Sequence, residues 1–274
     1  MSSAFAIVRD RIRRLVQPLV RRRLLRDRFG ATEFIWADVP DDSVDVLLCL
    51  WNRPELLAPM LEQLDAQTGV SGLRLRLWNN QRRDDARYRD VLLGYRPQGA
   101  LVAADLVTSP FNLGAMARFY WARRIARRRG HAPILVIDDD EVLPNDFAAR
   151  ALAAYDPAAV AAFWAFVVTG GYWDREFSVP GGPVDHIGPG GIVLDAALFL
   201  DDRFFTDLPD EYWFLDDIWL SWFAKQSGLE LRKLDVDITF LMEERNQINQ
   251  IDGQALAKVQ FHERLNGPGR PGPA

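Results

Sequence analysis

An α/β fold with a mostly parallel central sheet flanked by helices is what this sequence predicts, and three observations carry the prediction. Residues 44–50 and 134–137 are nearly unbroken apolar runs, the pattern of strands buried on both faces. Segments with helical periodicity alternate with such runs, as in a wound α/β sheet. Polar clusters stand directly after the strands: Asn52 and Arg53, Asn79 and Asn80, then Asp138, Asp139 and Asp140. In parallel sheets ligands sit beyond the carboxyl ends of the strands, where these clusters fall.

The elements follow in order. Residues 1–30 read as a basic amphipathic helix, with Val8, Ile12, Leu15, Val16, Leu19 and Val20 at three- and four-residue spacing. Pro54 opens a helix after the first strand, with Leu57, Met60, Leu61 and Leu64 as its buried stripe. Leu73, Leu75 and Leu77 alternate with Arg74 and Arg76, the pattern of a half-exposed second strand. A helix over 84–95, a strand over 100–107 and a strong helix over 113–129 precede the strand at 134–137. The second half changes character: 160–168 is apolar and aromatic, and seven glycines between Gly170 and Gly191 punctuate a loop-rich region. Residues 210–226 read as a helix closed by Gly228, 231–241 as a last strand region, and the tail from Asn266 as disordered.

Composition narrows the class. The 274 residues fit one large α/β domain or two fused halves, and nine Trp and sixteen Phe supply a sizeable core. The net charge of −5 gives no general reason to expect nucleic acid. Within it, residues 1–30 carry nine Arg against two Asp, so a basic end precedes an acidic body. Such a helix either lies on an anionic membrane surface or packs on its own domain or a second subunit. The single cysteine, Cys49, forms no internal disulfide; a buried thiol in a reducing cytoplasm fits it. Arg residues interrupt every early apolar run, so a secretory signal is not expected, and the run 158–168 is too short to span a bilayer.

Four motifs bear chemistry. In VIDDDEV, 136–142, three carboxylates follow an apolar strand; crowded carboxylates raise one another's pKa and call for a cation or open solvent. Oxygen ligands suit Mg²⁺ and Mn²⁺, which bind substrate phosphates as well. The bland alternative is an acidic turn capping a helix near Pro144. In NLGAMAR, 112–118, Gly114 permits close backbone approach and Arg118 either reaches a phosphate or lies on the surface. In FLDDIWLSW, Asp216 and Asp217 stand among large aromatics, as a general base or as an exposed acidic stripe. In HIGPGGIVLD, Gly190 and Gly191 mark a tight loop, and His186 is a metal ligand or a structural histidine.

Taken in order, these segments resemble the family 2-like glycosyltransferases of the GT-A fold. VDVLLCLWNRPELL is similar to the family's opening strand and Asn-Arg-Pro turn, WNNQRRDD to its second strand end, NLGAMAR to its Asn-x-Gly segment, and VIDDDEVLP to its aspartate motif. GPGGIVL and FLDDIWLS are similar to its glycine-rich acceptor-side loop and acidic catalytic motif, so the resemblance spans roughly 43–230. It implies a Rossmann-like GT-A domain over 41–245, with a nucleotide-sugar half (41–150) and a loop-rich acceptor half (151–245). A basic helix and linker (1–40) would precede it, and a C-terminal helix and tail (246–274) would follow.

The resemblance implies a metal-dependent, inverting, single-sugar transfer from a UDP-, GDP- or dTDP-sugar to a glycan or lipid-linked acceptor. Asn52, Arg53, Asn79, Asn80, Asn112, Gly114, Arg118, Asp138 and Asp139 would line the donor site. Asp138 would contact ribose or donor sugar and Asp140 would bind Mn²⁺ or Mg²⁺ through the diphosphate, with Asp138 as a second candidate ligand; His186 joins the candidate metal ligands from the local reading alone. Asp217 would be the general base, with Asp216 beside it, and Gly190 and Gly191 would face the acceptor. The family's Glu-Asp pair is here Asp216-Asp217, the second strand ends in Asn where Asp is common, and the Gln-x-x-Arg-Trp signature of processive synthases is absent. The expected location is cytoplasmic, at the inner membrane face if the basic helix binds lipid. Two other classes stand beside this one. A sugar nucleotidyltransferase needs a glycine-rich loop with a basic residue after the first strand, and WNRPE is not one. A catalytically inactive sugar-nucleotide or glycan-binding domain would not need the acidic positions in both halves.

Overall fold

The computed structural model describes residues 17–241 and 254–266. Helix α1 (17–25) leads into strand β1 (Thr32–Ile35) and then β2 (Val44–Leu50). Helix α2 (Leu57–Asp65), β3 (Leu73–Asn79), α3 (Asp85–Gly94) and β4 (Leu101–Thr108) follow. Next come α4 (Phe119–Arg129), β5 (Pro133–Ile137), β6 (Glu141–Val142) and α5 (Phe147–Ala153). The second half holds β7 (Ala159–Ala162), β8 (Ala165–Val168), β9 (Arg175–Phe177), β10 (His186–Ile187) and β11 (Ile192–Asp195). It continues with α6 (Arg203–Thr206), α7 (Asp216–Gln226), β12 (Glu230–Lys233), β13 (Thr239–Phe240) and α8 (Gln254–Asn266).

Eight strands form one sheet in the order β1-β4-β3-β2-β5-β11-β7-β12. The β4-β3, β3-β2, β2-β5 and β7-β12 pairs are parallel, whereas β1, and β11 on both sides, pair antiparallel. The expected mostly parallel sheet is therefore observed, and the second half of the chain extends the same sheet. Strand order reverses at β2, which has β3 on one side and β5 on the other, so a crevice opens beyond their carboxyl ends. Two apolar clusters cover the faces: α4 and α7 with Trp121, Trp213 and Trp219 on one, α2, α3 and α5 with Met60, Leu61, Tyr88 and Phe147 on the other.

Several local expectations are corrected. Arg74 and Arg76 do not face solvent. Strand β3 lies inside the sheet, and its arginines bind Asp45 and Asp105 on the neighbouring strands, with Arg76 buried 5.1 Å from the Trp121 ring. Alternation marks two different faces, and a buried charge network satisfies it as well as water does. The helix expected from 113 begins only at Phe119, because Gly114, at φ 67°, starts a tight 3₁₀ turn over Ala115–Arg118. The aspartates cap no helix: Asp140 leads into β6, and the next helix starts at Phe147 without a side-chain cap. The described part of the basic helix packs on its own domain, with Leu24 in the core and Arg21 3.4 Å over Trp213 and paired with Asp210. The rest of that helix, 1–16, and the tail, 267–274, lie outside the described residues. Among the described residues no helix is long and apolar enough to cross a membrane.

Candidate active site

A cavity of about 270 Å³ lies in the crevice, lined by residues from eight separated segments. Cys49, Trp51 and Arg53 come from the end of β2, Asn80 from the end of β3, and Asn112, Gly114 and Ala115 from the loop before α4. Asp138, Asp139 and Asp140 follow β5, and Phe214, Asp216 and Asp217 open α7. Pro189, Phe240 and Lys258 complete the wall. Most of the residues expected at the site thus meet in one place.

The centre is Arg118, fully buried at 0% exposure. Its Nη1 donates to Asp138 Oδ1 at 2.6 Å and to the Ile137 carbonyl at 3.2 Å. Its Nη2 donates to Asp216 Oδ2 at 3.0 Å and to the Pro189 carbonyl at 2.9 Å. One planar fork thus joins the strand-end aspartates, the glycine-rich loop and α7. Burial opposes its charge, but Asp138 and Asp216 hold its pKa above the ordinary guanidinium value. Arg118 is neither a surface residue nor a cavity-lining one. Its Asp216 partner is buried; burial lifts that carboxyl to about 6, against the pull of Arg118.

A second arginine sits on the other aspartates. Arg53 Nη1 donates to Asp140 Oδ2 at 2.9 Å, and Nη2 pairs with Asp139. Burial pushes Asp139 up to about 8 despite Arg53, and burial together with Asp138 raises Asp140. Asp139 Oδ2 is buried without a hydrogen-bond partner. The crowded carboxylates therefore hold less negative charge than their number implies, and a cation at the cavity side would restore it. Among the described residues no three His, Cys, Asp or Glu side chains gather around one metal position. The protein offers Asp138 and Asp140, the more accessible of the three, and a hard cation there would take further oxygens from diphosphate and water.

The asparagines divide. Asn80 accepts from Leu113 N–H and donates to the Gly114 carbonyl, both at 3.0 Å, so it shapes the loop it faces. Asn112 Oδ1 receives the Gly114 N–H at 2.7 Å. Asn79 is fully buried and does not line the cavity; its Oδ1 accepts from Gln81 N–H. Asn52 also stands outside the lining, in the left-handed region at φ 60°, where its side-chain Oδ1 accepts from Gln81 Nε2 and Arg83 Nη2. Gly114 is required on two counts: its positive φ, and the Phe214 ring, which a Cβ would meet at 2.7 Å.

His186 does not join Asp138, Asp139 and Asp140 in the cavity wall. It is 2% exposed, does not line the cavity, and lies 3.8 Å from Asp217 Oδ2 with Ser221 Oγ at 3.1 Å from Nδ1. Asp217 itself lines the cavity, and the Tyr172 hydroxyl stands 3.5 Å from its carboxylate. An exposed acidic stripe is excluded, because both Asp216 and Asp217 are buried in α7.

Three features escaped the sequence reading. Glu141 is fully buried, its Oε2 accepts the Asp138 N–H at 3.0 Å, and burial with Asp138 nearby raises its pKa well above the usual range. Gly190 lies against it: a Cβ there would sit 1.9 Å from Glu141 Oε1, so the glycine-rich loop is shaped by this carboxyl. Lys258 on α8 and the aromatic walls Trp51, Phe214 and Phe240 were likewise unassigned. Cys49, expected in the core, is half-buried at the cavity floor, with its thiol 3.7 Å from the Gly114 carbonyl and pushed up by burial to about 12.

No family model and no curated protein matches the sequence. Solved structures do. The chain is similar to Staphylococcus aureus TarS 1–349 in complex with UDP at 13% identity, over 70% of this chain and 57% of that one, with a TM-score of 0.44. It is similar to the Pyrobaculum calidifontis mannosyltransferase PcManGT in complex with GDP-Man and Mn²⁺ at 16% identity, over 85% and 65%, with a TM-score of 0.48. A 4-diphosphocytidyl-2C-methyl-D-erythritol synthase matches at 12% identity, over 80% and 98%, with a TM-score of 0.43. The chain spans less than two thirds of the length of the two transferases. The mostly parallel eight-stranded sheet flanked by helices, with its switch at β2 and the aspartates after β5, fits a GT-A-like, Rossmann-like fold.

Proposed function

We propose that the chain is an inverting, non-processive glycosyltransferase that, with Mn²⁺ or Mg²⁺, moves one sugar from a nucleoside diphosphate sugar to an acceptor hydroxyl. The observation that carries this reading is Arg118, which locks the strand-end aspartates and the α7 aspartates to one cavity. A structural ion pair would not need two further carboxylates, Asp140 and Asp217, facing the same space.

The roles follow from the placement. Asp138 and Asp140 would hold the cation with the donor diphosphate. When bound, the cation would neutralise the charge that develops on the leaving group. Trp51, Asn80, Asn112 and Gly114 bound the floor and side of the donor pocket. Arg118 holds Asp138 and Asp216 in register, so Asp216 is a positioning carboxylate. Asp217 accepts the acceptor proton from the cavity side.

Thermal unfolding against UDP, GDP and dTDP, with and without Mn²⁺, tests this reading. A ligand that binds only the folded state raises the midpoint, by the equivalent of about 2.7 kcal/mol at a hundredfold excess over Kd. The expected result is a metal-dependent rise with one nucleotide, lost in Asp140→Ala. Asp217→Asn should keep the rise and lose turnover by roughly 10²- to 10⁴-fold. No rise with any nucleotide at millimolar concentration returns the chain to the inactive or glycan-binding class.

A further inference from the structure

The hydrogen bonds at Ser221 give a geometric basis for assigning the hydrogen of the His186 ring. The Ser221 hydroxyl has one proton. Its oxygen accepts the Ile187 N–H at 3.0 Å and lies 2.7 Å from the Asp217 carbonyl, 3.2 Å from the Ile187 carbonyl and 3.1 Å from His186 Nδ1. Of the acceptors around that proton the Asp217 carbonyl is the nearest, and the proton is assigned to it on that distance. His186 Nδ1 then faces a lone pair of Ser221 and carries the ring hydrogen itself. The bare lone pair falls on Nε2, a buried atom with no hydrogen-bond partner. The carboxylate it faces is Asp217, with Oδ2 3.8 Å away. Two acceptors that face each other in a buried site attract only when a proton lies between them.

We propose that His186 is a positioning residue whose Nε2 awaits the proton that Asp217 removes from the acceptor hydroxyl, holding the protonated carboxyl as Asp217 O–H···Nε2. The inference rests on Asp217 being the general base. In the step, the acceptor O–H bond breaks and its electron pair forms the new O–C1 bond. The C1–O bond to the diphosphate breaks, and its pair leaves with the nucleoside diphosphate. The proton moves to Asp217 Oδ2 and is shared with Nε2 until it returns to solvent. The ring accepts the hydrogen bond without becoming charged. Around it stand Asp217 on α7, Arg175 on β9, Lys225 on α7 and His262 on α8, and the three basic groups oppose an imidazolium. Burial strengthens that opposition and lowers the His186 pKa to about 3. The Tyr172 ring, 5.5 Å from the imidazole centre, and Phe166, 6.1 Å from it, close the remaining sides.

The test uses the full chain with ¹⁵N-labelled histidine. Its three histidines are assigned through His131→Gln and His262→Gln. The expected spectrum at pH 7 shows His186 as the neutral Nδ1–H tautomer. In Asp217→Asn, the new amide donates to Nε2 and shifts that resonance while Nδ1–H stays. An Nε2–H tautomer or an imidazolium in the native chain overturns the proposal. Release of nucleoside diphosphate from UDP-glucose and GDP-mannose with Mn²⁺ supplies the second arm. His186→Gln keeps an acceptor near the Nε2 position and loses the Ser221 contact, whereas His186→Asn does the reverse. The proposal expects Gln to retain turnover and Asn to lose about tenfold in kcat at unchanged donor KM, a fraction of what a positioned base supplies. A purely structural histidine gives the opposite ranking, which overturns the proposal. Absence of any donor turnover by the native chain removes the proposed function and the proton role with it. A wrong tautomer with turnover intact removes the His186 role alone.

Discussion

The Arg53 guanidinium lies 2.9 Å from the Asp140 carboxylate and pairs with Asp139 through its other arm. A protein cation therefore stands on Asp140, one of the two carboxylates that the proposed reaction assigns to a metal ion. The two positive charges compete, and a diphosphate relieves the competition by offering Arg53 an alternative anion. Arg53→Gln should bind Mn²⁺ alone about tenfold more tightly than the native chain and bind a nucleoside diphosphate less tightly. Mn²⁺ electron paramagnetic resonance titration reads the first and calorimetry the second. Weaker metal binding in the variant would show that Arg53 supports the cation site.

Arg118 has a different liability, because its two carboxylate partners sit on separate segments and it has no exposure of its own. Removing one partner of a buried pair leaves uncompensated charge and costs about 3–5 kcal/mol. Arg118→Met should lower stability in urea by that order and abolish nucleotide binding. Adding Asp216→Asn should recover part of the stability, since one stranded carboxylate is then neutral. Equal midpoints for the single and double variants would mean that Asp216 is not the group Arg118 compensates.

Gly190 and Glu141 make a prediction that the motif alone did not contain. A Cβ on Gly190 would lie 1.9 Å from Glu141 Oε1 and 2.6 Å from its carboxyl carbon. Gly190→Ala should cost about 1–3 kcal/mol, the usual range for overpacking. Glu141→Ala in the same chain removes the obstructing oxygen, so the double variant should be less destabilised than the two single losses combined. Strict additivity in urea denaturation would place the clash elsewhere.

These pairs mark how far the sequence was legible. Asp138–Asp140, Asp217 and the NLG loop were found because each follows a strand or opens a helix, and the sheet brings strand ends together. The sheet itself was legible because strands buried on both faces leave a long apolar signature at residues 44–50 and 134–137. What a single side chain touches across the fold was not legible. Arg118 reaches Pro189 and Asp216, 71 and 98 residues away, and a local pattern has no term for such partners. The same holds for Arg74 and Arg76, whose alternation with leucines describes a wet face and a buried ion network equally well. Glu141 went unassigned because its neighbours Asp138 to Asp140 already explained the acidic run, although the tight packing of Gly190 shows that it shapes the loop.

Burial lowers the His186 pKa to about 3, against an ordinary value of 6.5. Below pH 6.5 the unfolded chain takes up a proton at this histidine while the folded chain does not. The unfolded state then binds more protons, so stability rises with pH across the window from about 3 to 6.5 and falls on acidification through it. The slope for one full proton is about 1.4 kcal/mol per pH unit. The raised carboxyls work the other way: Asp216 is lifted to about 6 and Asp139 to about 8, Asp140 and Glu141 are lifted as well, and the folded state holds their extra protons above their ordinary values. They oppose the His186 effect across the same window. His186→Asn removes the histidine contribution and leaves those of the carboxyls. From pH 7 through 6 to 5 the urea midpoint of the native chain should therefore decline relative to that of the variant, and parallel lines would show that His186 titrates alike in the folded and unfolded chains.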